Sequence, residues 1–452
     1  MQLTPINPST GEPLEPIPCT TEEELQTMVR AARGAFGSWS TRPFEERADC
    51  CRAASKRIVD RIDEIAEVIH TETGKPKQQA KGETKSGAST VNSAVRDMSA
   101  AMAPEERPFD GGLCRTHYLP HGVAAVIAPW NYPSYMALEL IFPALLAGNT
   151  VLFKPSEYST RTGMAVAAAF TECLPPGVLQ IVLGDGQQGR WLTAAEIDFV
   201  AFVGSRATGK AIMKQSSDRL CRLLFELGGK DAMIVAKNAN LKKAAKFAVQ
   251  NSIQNTGQVC VAVERIYVER GIEQAFIEQA VELAQDVAIE AGENGQLVIG
   301  PMSNEKQMKI VLDHIEDAKR LGAKVHMGGN RLDRPGLFIE PTVMSGLTRE
   351  MKIMTEETFG PVVAIQAVDS VEEAVREANN TRYGLTATIW GGDSEALYEH
   401  ALRLEAGLVG INGRQGGNPG IPRAGAKESG FGFLGGVGGM RQFLQPRTVT
   451  VR

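Results

Sequence analysis

The chain has 452 residues, of which 43% are hydrophobic and 22% are charged, and its formal net charge is −5. This balance is typical of a soluble globular protein with material for two or three domains. Because the charges are spread along the chain without a lysine- or arginine-rich tract, we expect no nucleic acid partner. We also expect neither a signal peptide nor a membrane span, since the start is polar and no apolar run is long and uninterrupted.

Cysteine and histidine usage argues against a disulfide framework and against a metal site. The seven cysteines are odd in number, include the adjacent Cys50 and Cys51, and lack the paired spacing of metal ligands. The six histidines are scattered, with no His-Glu-x-x-His pattern. We therefore expect a cytoplasmic protein with reduced thiols and no bound metal.

The first hundred residues carry a helical pattern. Between 21 and 72, apolar residues recur at spacings of three and four, as in Ile62, Ile65 and Ile69. A further helix is predicted over 83–103. The N-terminal part of the chain is therefore expected to be mainly helical.

From residue 112 onward, short apolar runs alternate with helical segments. The predicted strands include 123–128, 150–154, 178–182, 198–203, 232–235 and 266–268, and the helices among them include 162–172, 272–290 and 303–321. Short buried strands that alternate with helices predict parallel sheets with helices on both faces. We place a domain boundary near Gly228, and we expect a glycine-rich loop over 412–439 before a last strand at 448–451.

Two glycine-containing stretches match phosphate-binding patterns in part. Residues 184–189 fit G-x-G-x-x-G after a predicted strand, but a plain loop is equally compatible with so weak a motif. Residues 204–211 approach the P-loop, but Ala211 stands where a hydroxyl would bind magnesium, so an ATPase is disfavoured. What remains is a strand, a glycine-flanked turn and a helix start, where backbone N–H groups attract phosphate.

Three further positions are ordinary when each is taken alone. Cys260 lies among apolar neighbours, where a lone cysteine is usually an inert core residue. Glu226 would usually be a solvated surface residue, and Asn131, between Pro-Trp and Tyr-Pro, would usually lie in a turn. None of these positions predicts an activity by itself.

Taken together and in order, these segments resemble the aldehyde dehydrogenase superfamily over nearly the whole chain. The matching blocks are Pro129-Trp130-Asn131, Lys154-Pro155-Ser156-Glu157, Phe202-Val203-Gly204-Ser205 with Gly209, Glu226-Leu227-Gly228-Gly229-Lys230, Gly257-Gln258-Val259-Cys260 and Glu356-Glu357-Thr358-Phe359-Gly360-Pro361. The order of the blocks along the chain is the order expected in that family. The resemblance implies an enzyme that oxidises an aldehyde to a carboxylic acid.

The resemblance implies an α/β fold with two Rossmann-like parallel-sheet domains and a small β-flap for oligomerisation. An NAD-binding domain would comprise 1–104 and 121–228, a catalytic domain 229–432, and a bridging segment 105–120 with 433–452. It also implies a homodimer or homotetramer. The strand-like segments 115–119 and 447–451 are the expected contacts between subunits.

The resemblance also implies the chemistry and the residues that perform it. The Cys260 thiolate would attack the aldehyde carbon, and the Asn131 amide and the Cys260 backbone N–H would stabilise the oxyanion. Hydride transfer from the thiohemiacetal to NAD or NADP would give a thioester. A water activated by Glu226 would then hydrolyse that thioester to the acid.

A set of residues is assigned to the cofactor by the same resemblance. They are Trp130, Lys154, Glu157, Gly204, Ser205, Gly209, Leu227, Glu357 and Phe359. The turn over the pyrophosphate falls at Gly204, Ser205 and Gly209, so the 184–189 motif becomes a neighbouring loop. Glu157 can accept hydrogen bonds from ribose hydroxyls but would repel a 2′-phosphate, so we expect NAD rather than NADP.

The substrate side departs from the family pattern. Candidates for the entry tunnel are Tyr132, Tyr135, Met136 and Glu139, although a helix packed in the core explains them equally well. Glu139-Leu140 replaces a usual Trp-Lys, and Arg423 lies in Pro-Arg-Ala-Gly-Ala-Lys, which replaces Pro-Phe-Gly-Gly-x-Lys. A buried Arg423 would suit a semialdehyde that bears a carboxylate, whereas an exposed one would be a plain surface residue.

Three other interpretations stay open. A CoA-acylating relative would pass the thioester to CoA, but a water-activating base at Glu226 argues against it. An ATP-binding protein would depend on the 204–211 turn. A non-enzymatic structural protein of this fold would leave the catalytic residues unexplained.

Overall fold

The computed structural model describes residues 1–293, 295–415 and 420–452. Two mainly parallel sheets lie at its centre with helices on their faces, and a smaller antiparallel sheet contains the end of the chain. Within the described ranges, no helix combines the length and the apolar character needed to cross a membrane.

The chain up to residue 120 is mainly helical. Its elements are β1 (Gln2–Leu3), β2 (Ile17–Pro18), α1 (Glu22–Ser40), α2 (Phe44–Asp60), α3 (Ile62–Thr73), α4 (Lys77–Met102), β3 (Glu105–Phe109) and β4 (Gly112–Pro120). A capping box of Thr21 and Glu24 begins α1. Gly74 ends α3 at a φ of 73°, and a Cβ there would overlap Pro301, so this close approach requires glycine.

The first parallel sheet follows. Its elements are β5 (Val123–Ile127), α5 (Pro133–Ala147), β6 (Thr150–Lys154), α6 (Thr160–Thr171), β7 (Leu179–Ile181), α7 (Gly186–Ala194), β8 (Phe199–Val203), α8 (Arg206–Ser216) and β9 (Arg222–Glu226). Strands β5, β6 and β8 are buried along their whole length, because helices cover both faces. The parallel order is β9-β8-β5-β6-β7, so the strand order reverses beside β5 and a crevice forms at the carboxyl ends there.

The second sheet is built in the same way. Its region comprises β10 (Asp231–Val235), α9 (Leu241–Ile253), β11 (Val263–Glu269), α10 (Glu273–Gln285), β12 (Ala288–Ile289), β13 (Val298–Ile299), α11 (Glu305–Arg320), β14 (Lys324–Met327), β15 (Thr342–Ser345), α12 (Lys352–Thr355), β16 (Val362–Val368), α13 (Val371–Asn379), β17 (Thr386–Trp390), α14 (Ser394–Leu402) and β18 (Leu408–Ile411). The order is β14-β15-β16-β11-β10-β17-β18, with β14 antiparallel to its neighbour. The strand order again reverses beside the first strand, β10.

The last part of the chain returns to earlier elements. It contains β19 (Arg423–Ala424), β20 (Gly430–Phe431), β21 (Phe433–Leu434), α15 (Gly436–Arg441) and β22 (Leu444–Val451). Strand β20 pairs antiparallel with β9 of the first sheet. Strand β22 pairs with β4, which pairs with β3, to give the antiparallel sheet.

The predicted α/β fold with two parallel-sheet units is confirmed, and the local errors have simple causes. The loop expected over 412–439 contains β19 to β21 and α15, although 416–419 lie outside the described residues. Strands of two residues are too short to leave a periodic pattern. The helix expected over 272–290 ends at Gln285. The domain boundaries stay a prediction, with β9 and β10 on either side of Gly228.

Candidate active site

The predicted catalytic residues come from two opposed sheet edges. Glu226 ends β9 and Asn131 lies between β5 and α5, so the first sheet contributes the carboxyl ends of its strands. Cys260 precedes β11 and Phe359 precedes β16, so the second sheet contributes amino ends. A hydrogen bond joins the two edges, because the Asn131 side-chain amide donates to the Gln258 carbonyl at 3.0 Å. The site therefore lies between the sheets.

A strained turn precedes Cys260. Asn255, Thr256 and Gly257 all have left-handed backbone, with φ of 52°, 58° and 72°. This region is strongly disfavoured for a β-branched residue such as Thr256. A Cβ at Gly257 would overlap the Gly360 carbonyl, so this position requires glycine.

Hydrogen bonds hold the turn in its strained shape. The Asn255 amide donates to the Asn131 carbonyl at 3.2 Å and to the Gln258 carbonyl at 3.1 Å. The Thr256 hydroxyl donates to the Gly300 carbonyl at 2.9 Å. These contacts offset a backbone strain of about 1–3 kcal/mol per residue. The turn consequently presents the cysteine in a fixed orientation.

The half-buried Cys260 thiol lies near Glu226, and each group shifts the pKa of the other. Burial raises the pKa of the thiol well above its usual range, and the negative charge of Glu226 raises that pKa further. Burial also raises the pKa of Glu226 to about 7, while Arg423 lowers it and Glu139 raises it. At neutral pH the carboxyl exchanges protons readily, whereas the thiol keeps its proton until a base accepts it.

Asn131 is buried, and both its side chain and its peptide are fixed. Its carbonyl accepts from Lys75 Nζ at 2.7 Å as well as from the Asn255 amide. A side-chain amide carries two N–H groups. The bond to the Gln258 carbonyl uses one of them. The second N–H can therefore donate to a ligand beside the cysteine.

A cavity of about 780 Å³ lies at the carboxyl ends of the first sheet. The predicted cofactor residues that line it are Trp130, Lys154, Glu157, Gly204, Ser205, Glu357 and Phe359. Gly209 and Leu227 pack against each other, since a Cβ at Gly209 would overlap the leucine side chain. The Trp130 ring meets Phe359 edge-on at 5.6 Å and Tyr158 at 6.5 Å between centroids. These rings form an aromatic wall against which a planar ligand can pack.

The start of α8 offers a place for a phosphate group. The Ser205 hydroxyl caps this helix by accepting from the Thr208 backbone N–H at 3.2 Å. A Cβ at Gly204 would overlap the Phe202 ring, so glycine leaves room for a close approach. First-turn N–H groups have no partner within the helix and carry partial positive charge. The residues present therefore fit the pyrophosphate of a dinucleotide.

Lys154 lies near two carboxylates in the same cavity. Burial lowers the pKa of its ammonium group, and the charges of Glu157 and Asp185 raise it. The segment 184–189 was expected to be only a neighbouring loop, but Asp185 and Gly189 line this cavity. The loop assignment is wrong from Gly186 onward, because Asp185 caps α7, which begins at that residue.

The loop with Glu357 and Phe359 is tied to the interior by Glu264. The Glu264 carboxylate accepts from the Phe359 backbone N–H at 2.8 Å and from Lys230 Nζ at 2.6 Å. Glu357 accepts from the Gly229 backbone N–H at 2.9 Å. The loop that faces Trp130 is thereby held by buried charges of the second sheet.

Some of the predicted substrate residues line a second cavity, of about 270 Å³. Tyr135, Glu139 and Arg423 lie in its wall. Arg423 forms an ion pair with Glu139, whose side chain is only 11% exposed. Met136 is instead buried in the hydrophobic core, and Tyr132 packs beneath a buried ammonium group. Arg423 is thus part of this cavity, with its charge offset by a neighbour.

The sequence as a whole matches one family model. Residues 2–449 match the model described as "Aldehyde dehydrogenase family". The chain belongs to the aldehyde dehydrogenase family. This aldehyde dehydrogenase oxidises an aldehyde to the carboxylic acid and reduces NAD or NADP.

Similar proteins differ in substrate and cofactor. The enzyme is 35% identical over 448 residues to "Putative succinate-semialdehyde dehydrogenase [NADP(+)] 2" of Mycobacterium ulcerans (strain Agy99), covering 97% of this chain and 86% of that one. Lactaldehyde dehydrogenase from Escherichia coli superposes with a TM-score of 0.96 at 32% sequence identity. The match covers 100% of this chain and 96% of that one. The NAD-dependent aldehyde dehydrogenase from Sinorhizobium meliloti superposes with a TM-score of 0.95 at 32% sequence identity. The match covers 100% of this chain and 91% of that one.

Buried charges beside the site were missed by the sequence analysis. They form two ion pairs, Lys75 with Glu83 and Lys230 with Glu264. Lys230 was noted within a family block but was given no role. The available signal for Lys75 was its position in a Gly-Lys-Pro break between two helices, which shows a turn but not its partner.

Proposed function

We propose that this aldehyde dehydrogenase is hydrolytic, with Cys260 as nucleophile and Glu226 as the base for both the thiol and the water. The observation that carries the proposal is the buried Glu226 carboxyl at the end of β9, which lies near the Cys260 thiol and whose pKa is raised by burial to about 7. A carboxyl with this pKa takes up and releases protons near neutral pH.

In the first half of the reaction, Glu226 accepts the thiol proton as the Cys260 sulfur bonds to the aldehyde carbon. The carbonyl electron pair moves to oxygen, and this oxyanion accepts hydrogen bonds from the Asn131 amide and the Cys260 backbone N–H. The nicotinamide supplies the hydride acceptor when it is bound. Glu357 and Phe359 would hold its ribose and ring.

In the second half, the acyl group is a thioester on Cys260. Glu226, once it has released its proton, accepts a proton from water as the water oxygen adds to the thioester carbon. The cysteine thiolate then leaves and the acid is released. Transfer to CoA would need no base to activate water, so a buried carboxyl near the thioester favours hydrolysis.

Product analysis tests this mechanism. With aldehyde and NAD, we expect free acid with or without CoA, measured by mass spectrometry beside NADH absorbance. Cys260→Ala should form no NADH, and Glu226→Gln should lose about 10²- to 10⁴-fold in turnover. Cys173→Ala, a free cysteine away from the site, is the matched control. Acyl-CoA without free acid would overturn the hydrolytic mechanism.

We propose NAD as the preferred cofactor. Lys154 lies near Glu157 and Asp185 in the cavity wall, which also contains the cations of Arg190, Arg206 and Lys306. A 2′-phosphate would add roughly two negative charges beside these carboxylates, whereas a 2′-hydroxyl can donate to Glu157. Some similar proteins are named for NADP(+), so both cofactors must be compared.

The two cofactors are compared by their kcat/KM values with the same aldehyde. The wild type should favour NAD, and Glu157→Gln should raise kcat/KM for NADP by about tenfold as one repulsive charge is lost. Glu12→Gln, outside the site, should change neither value. A wild type that favours NADP would contradict the proposal.

We propose that the substrate is a semialdehyde with a terminal carboxylate. The Arg423 guanidinium in the second cavity supports this, and similar proteins are named succinate-semialdehyde dehydrogenase. A substrate carboxylate would have to share Arg423 with Glu139, so the ion pair would weaken but not abolish the attraction.

A matched pair of substrates tests the charge preference. Succinate semialdehyde and butanal have the same chain length and differ in the carboxylate. Arg423→Met should lower the ratio of their kcat/KM values about 10- to 100-fold, because a charge-assisted hydrogen bond is lost. Glu139→Gln should raise that ratio. A wild type that prefers butanal would contradict the proposal.

We also propose a homodimer or homotetramer in the cytoplasm. The segment 447–451 lies in the edge strand β22, whereas 115–119 lie in the central strand β4, and β3 is the other edge. Phe109, Val449 and Val451 are exposed on the two edge strands. Open strand edges with apolar side chains favour pairing with another chain. The seven cysteines are all free thiols, which suits a reducing compartment. A monomer by light scattering at micromolar concentration would contradict the assembly.

A further inference from the structure

One ion pair beside Asn131 is almost fully withdrawn from solvent. Lys75, between α3 and α4, and Glu83, on α4, have side chains only 2% and 1% exposed, and their charged groups are in direct contact. Removing two charges from water is costly, and well-packed hydrophobic residues often stabilise a fold as well as a buried pair does. Stability alone therefore does not explain this pair.

The Lys75 ammonium contacts two consecutive residues of the loop before α5. It donates to the Asn131 carbonyl at 2.7 Å and lies 3.8 Å from the centroid of the Tyr132 ring. The left-handed turn at Gly74, packed against Pro301, fixes where Lys75 leaves α3. The ammonium thus restrains the peptide of Asn131 from one side.

Glu83 restrains the same loop from the other side. One of its oxygens accepts from the Ser134 backbone N–H and hydroxyl at 3.0 Å each, and from the Tyr135 backbone N–H at 3.3 Å. Helix α5 has no side-chain cap of its own at Tyr132, so Glu83 serves as its cap. The loop is therefore held at its peptide by Lys75 and at the helix start by Glu83.

We propose that Lys75 and Glu83 are positioning residues, which hold the Asn131 amide where it donates to the oxygen that becomes negative as Cys260 adds to the aldehyde. This inference rests on the proposed oxyanion role of Asn131. Both residues act through Asn131. A donor stabilises an oxyanion only within about 2.7–3.1 Å, so a small shift of the loop would weaken it.

A double-mutant cycle on turnover tests the positioning role. Lys75→Met should lower kcat about 10- to 100-fold while the KM for the cofactor stays within about twofold. In an Asn131→Ala background, the same substitution should change kcat less than about twofold, because the side-chain donor that Lys75 positions is already absent. A purely structural role would lower kcat by the same factor in both backgrounds, and that outcome would overturn the proposal.

The neighbouring surface pair supplies the matched control. Lys77 pairs with Glu67 at 2.6 Å, but these side chains are 54% and 55% exposed, so Lys77→Met should turn over like the wild type. If Lys75→Met fails to fold, Glu83→Gln can be used instead, because glutamine keeps the shape of the side chain. Glu83→Gln should show the same loss of kcat when Asn131 is present and no such loss in the Asn131→Ala background. Wild-type turnover of Glu83→Gln would also overturn the proposal.

The two proposals fail in different ways. If Asn131→Ala alone keeps wild-type kcat, the oxyanion role of Asn131 is wrong, and the positioning role fails with it. If Asn131→Ala is slow but the Lys75 substitution acts equally in both backgrounds, only the positioning role is wrong.

Discussion

Burial and two neighbouring charges set the proton affinity of Glu226, the proposed base. Burial brings the pKa of Glu226 to about 7, and Arg423 and Glu139 act on it in opposite directions. The latter two form the ion pair of the second cavity. The acidity of the proposed base therefore depends on residues that also face the substrate.

The pH profile of kcat should follow these charges. The ionised form of Glu226 accepts the proton, so activity should rise with pH through about 7. Arg423→Met removes a cation that stabilises the Glu226 carboxylate, so the rise of kcat with pH (the acidic limb of the profile) should move to higher pH. Glu139→Gln removes a repulsive charge, so the limb should move to lower pH. The measurement is kcat at saturating aldehyde and cofactor across the pH range.

A control and a contradicting result are available for the pH shifts. Arg33→Met removes a cation from a half-exposed ion pair with Asp198, so the limb should stay in place. Limbs that do not move in the Arg423 and Glu139 variants would show that another group sets the profile.

Local motifs predicted residues, but not their partners. Cys260, Glu226 and Asn131 were assigned because each lies in a short block of residues that resembles the family. Lys75 gains its significance from the Asn131 carbonyl, 56 residues further along the chain. No spacing pattern in the sequence expresses such a contact, since it exists only after the helices have packed.

Two helices that cover the first sheet are capped at their N-termini by carboxylates from elsewhere in the chain. Glu83 caps α5, and Glu72 of α3 caps α6 by accepting from the Arg161 and Thr162 backbone N–H groups at 2.7 and 2.8 Å. Helix α6 has no side-chain cap from its own N-cap residue, Ser159. The N-terminal helices thus complete the helices that cover the first sheet.

Removing the Glu72 carboxylate should destabilise the fold. Glu72→Ala leaves two backbone donors and the Thr162 hydroxyl without an acceptor, at a cost of about 1–3 kcal/mol in the free energy of unfolding. The expected result is a melting temperature several degrees lower, measured by calorimetry at a fixed scan rate. Glu64→Ala removes an exposed carboxylate from the same helix and should melt like the wild type. Equal melting of both variants would contradict the cap.

Periodicity predicted the long elements and missed the short ones. Helix α11 was expected over 303–321 and spans Glu305–Arg320, because its apolar stripe extends over several turns. The pairs of residues in β19 and β20 have no such stripe. Their structure comes from backbone partners on distant strands, which the sequence does not name.

At the scale of the whole molecule, Ser429 joins the tail to both sheets. Its buried hydroxyl donates to the Gly228 carbonyl at 2.8 Å and accepts from the Gly384 backbone N–H at 2.9 Å. Its carbonyl accepts from the Leu227 backbone N–H at 2.9 Å. The tail thus fastens the junction between the sheets next to Glu226.

Loss of this hydroxyl should affect stability and turnover together. Ser429→Ala leaves a buried N–H and a buried carbonyl without that partner, which costs about 1–3 kcal/mol. The melting temperature and kcat should both fall, since the junction carries the proposed base. Ser38→Ala, at an exposed serine of α1, is the control. A Ser429 variant with wild-type melting and turnover would contradict this role.

The raised pKa of the Cys260 thiol also bears on how long the enzyme survives under oxidative stress. Peroxide and alkylating agents attack the thiolate far faster than the thiol. If Cys260 is the nucleophile, as proposed, a thiol that keeps its proton at rest should react slowly with these agents. In the proposed mechanism it would become vulnerable only when Glu226 takes that proton, which is also the step in which the sulfur adds to the aldehyde.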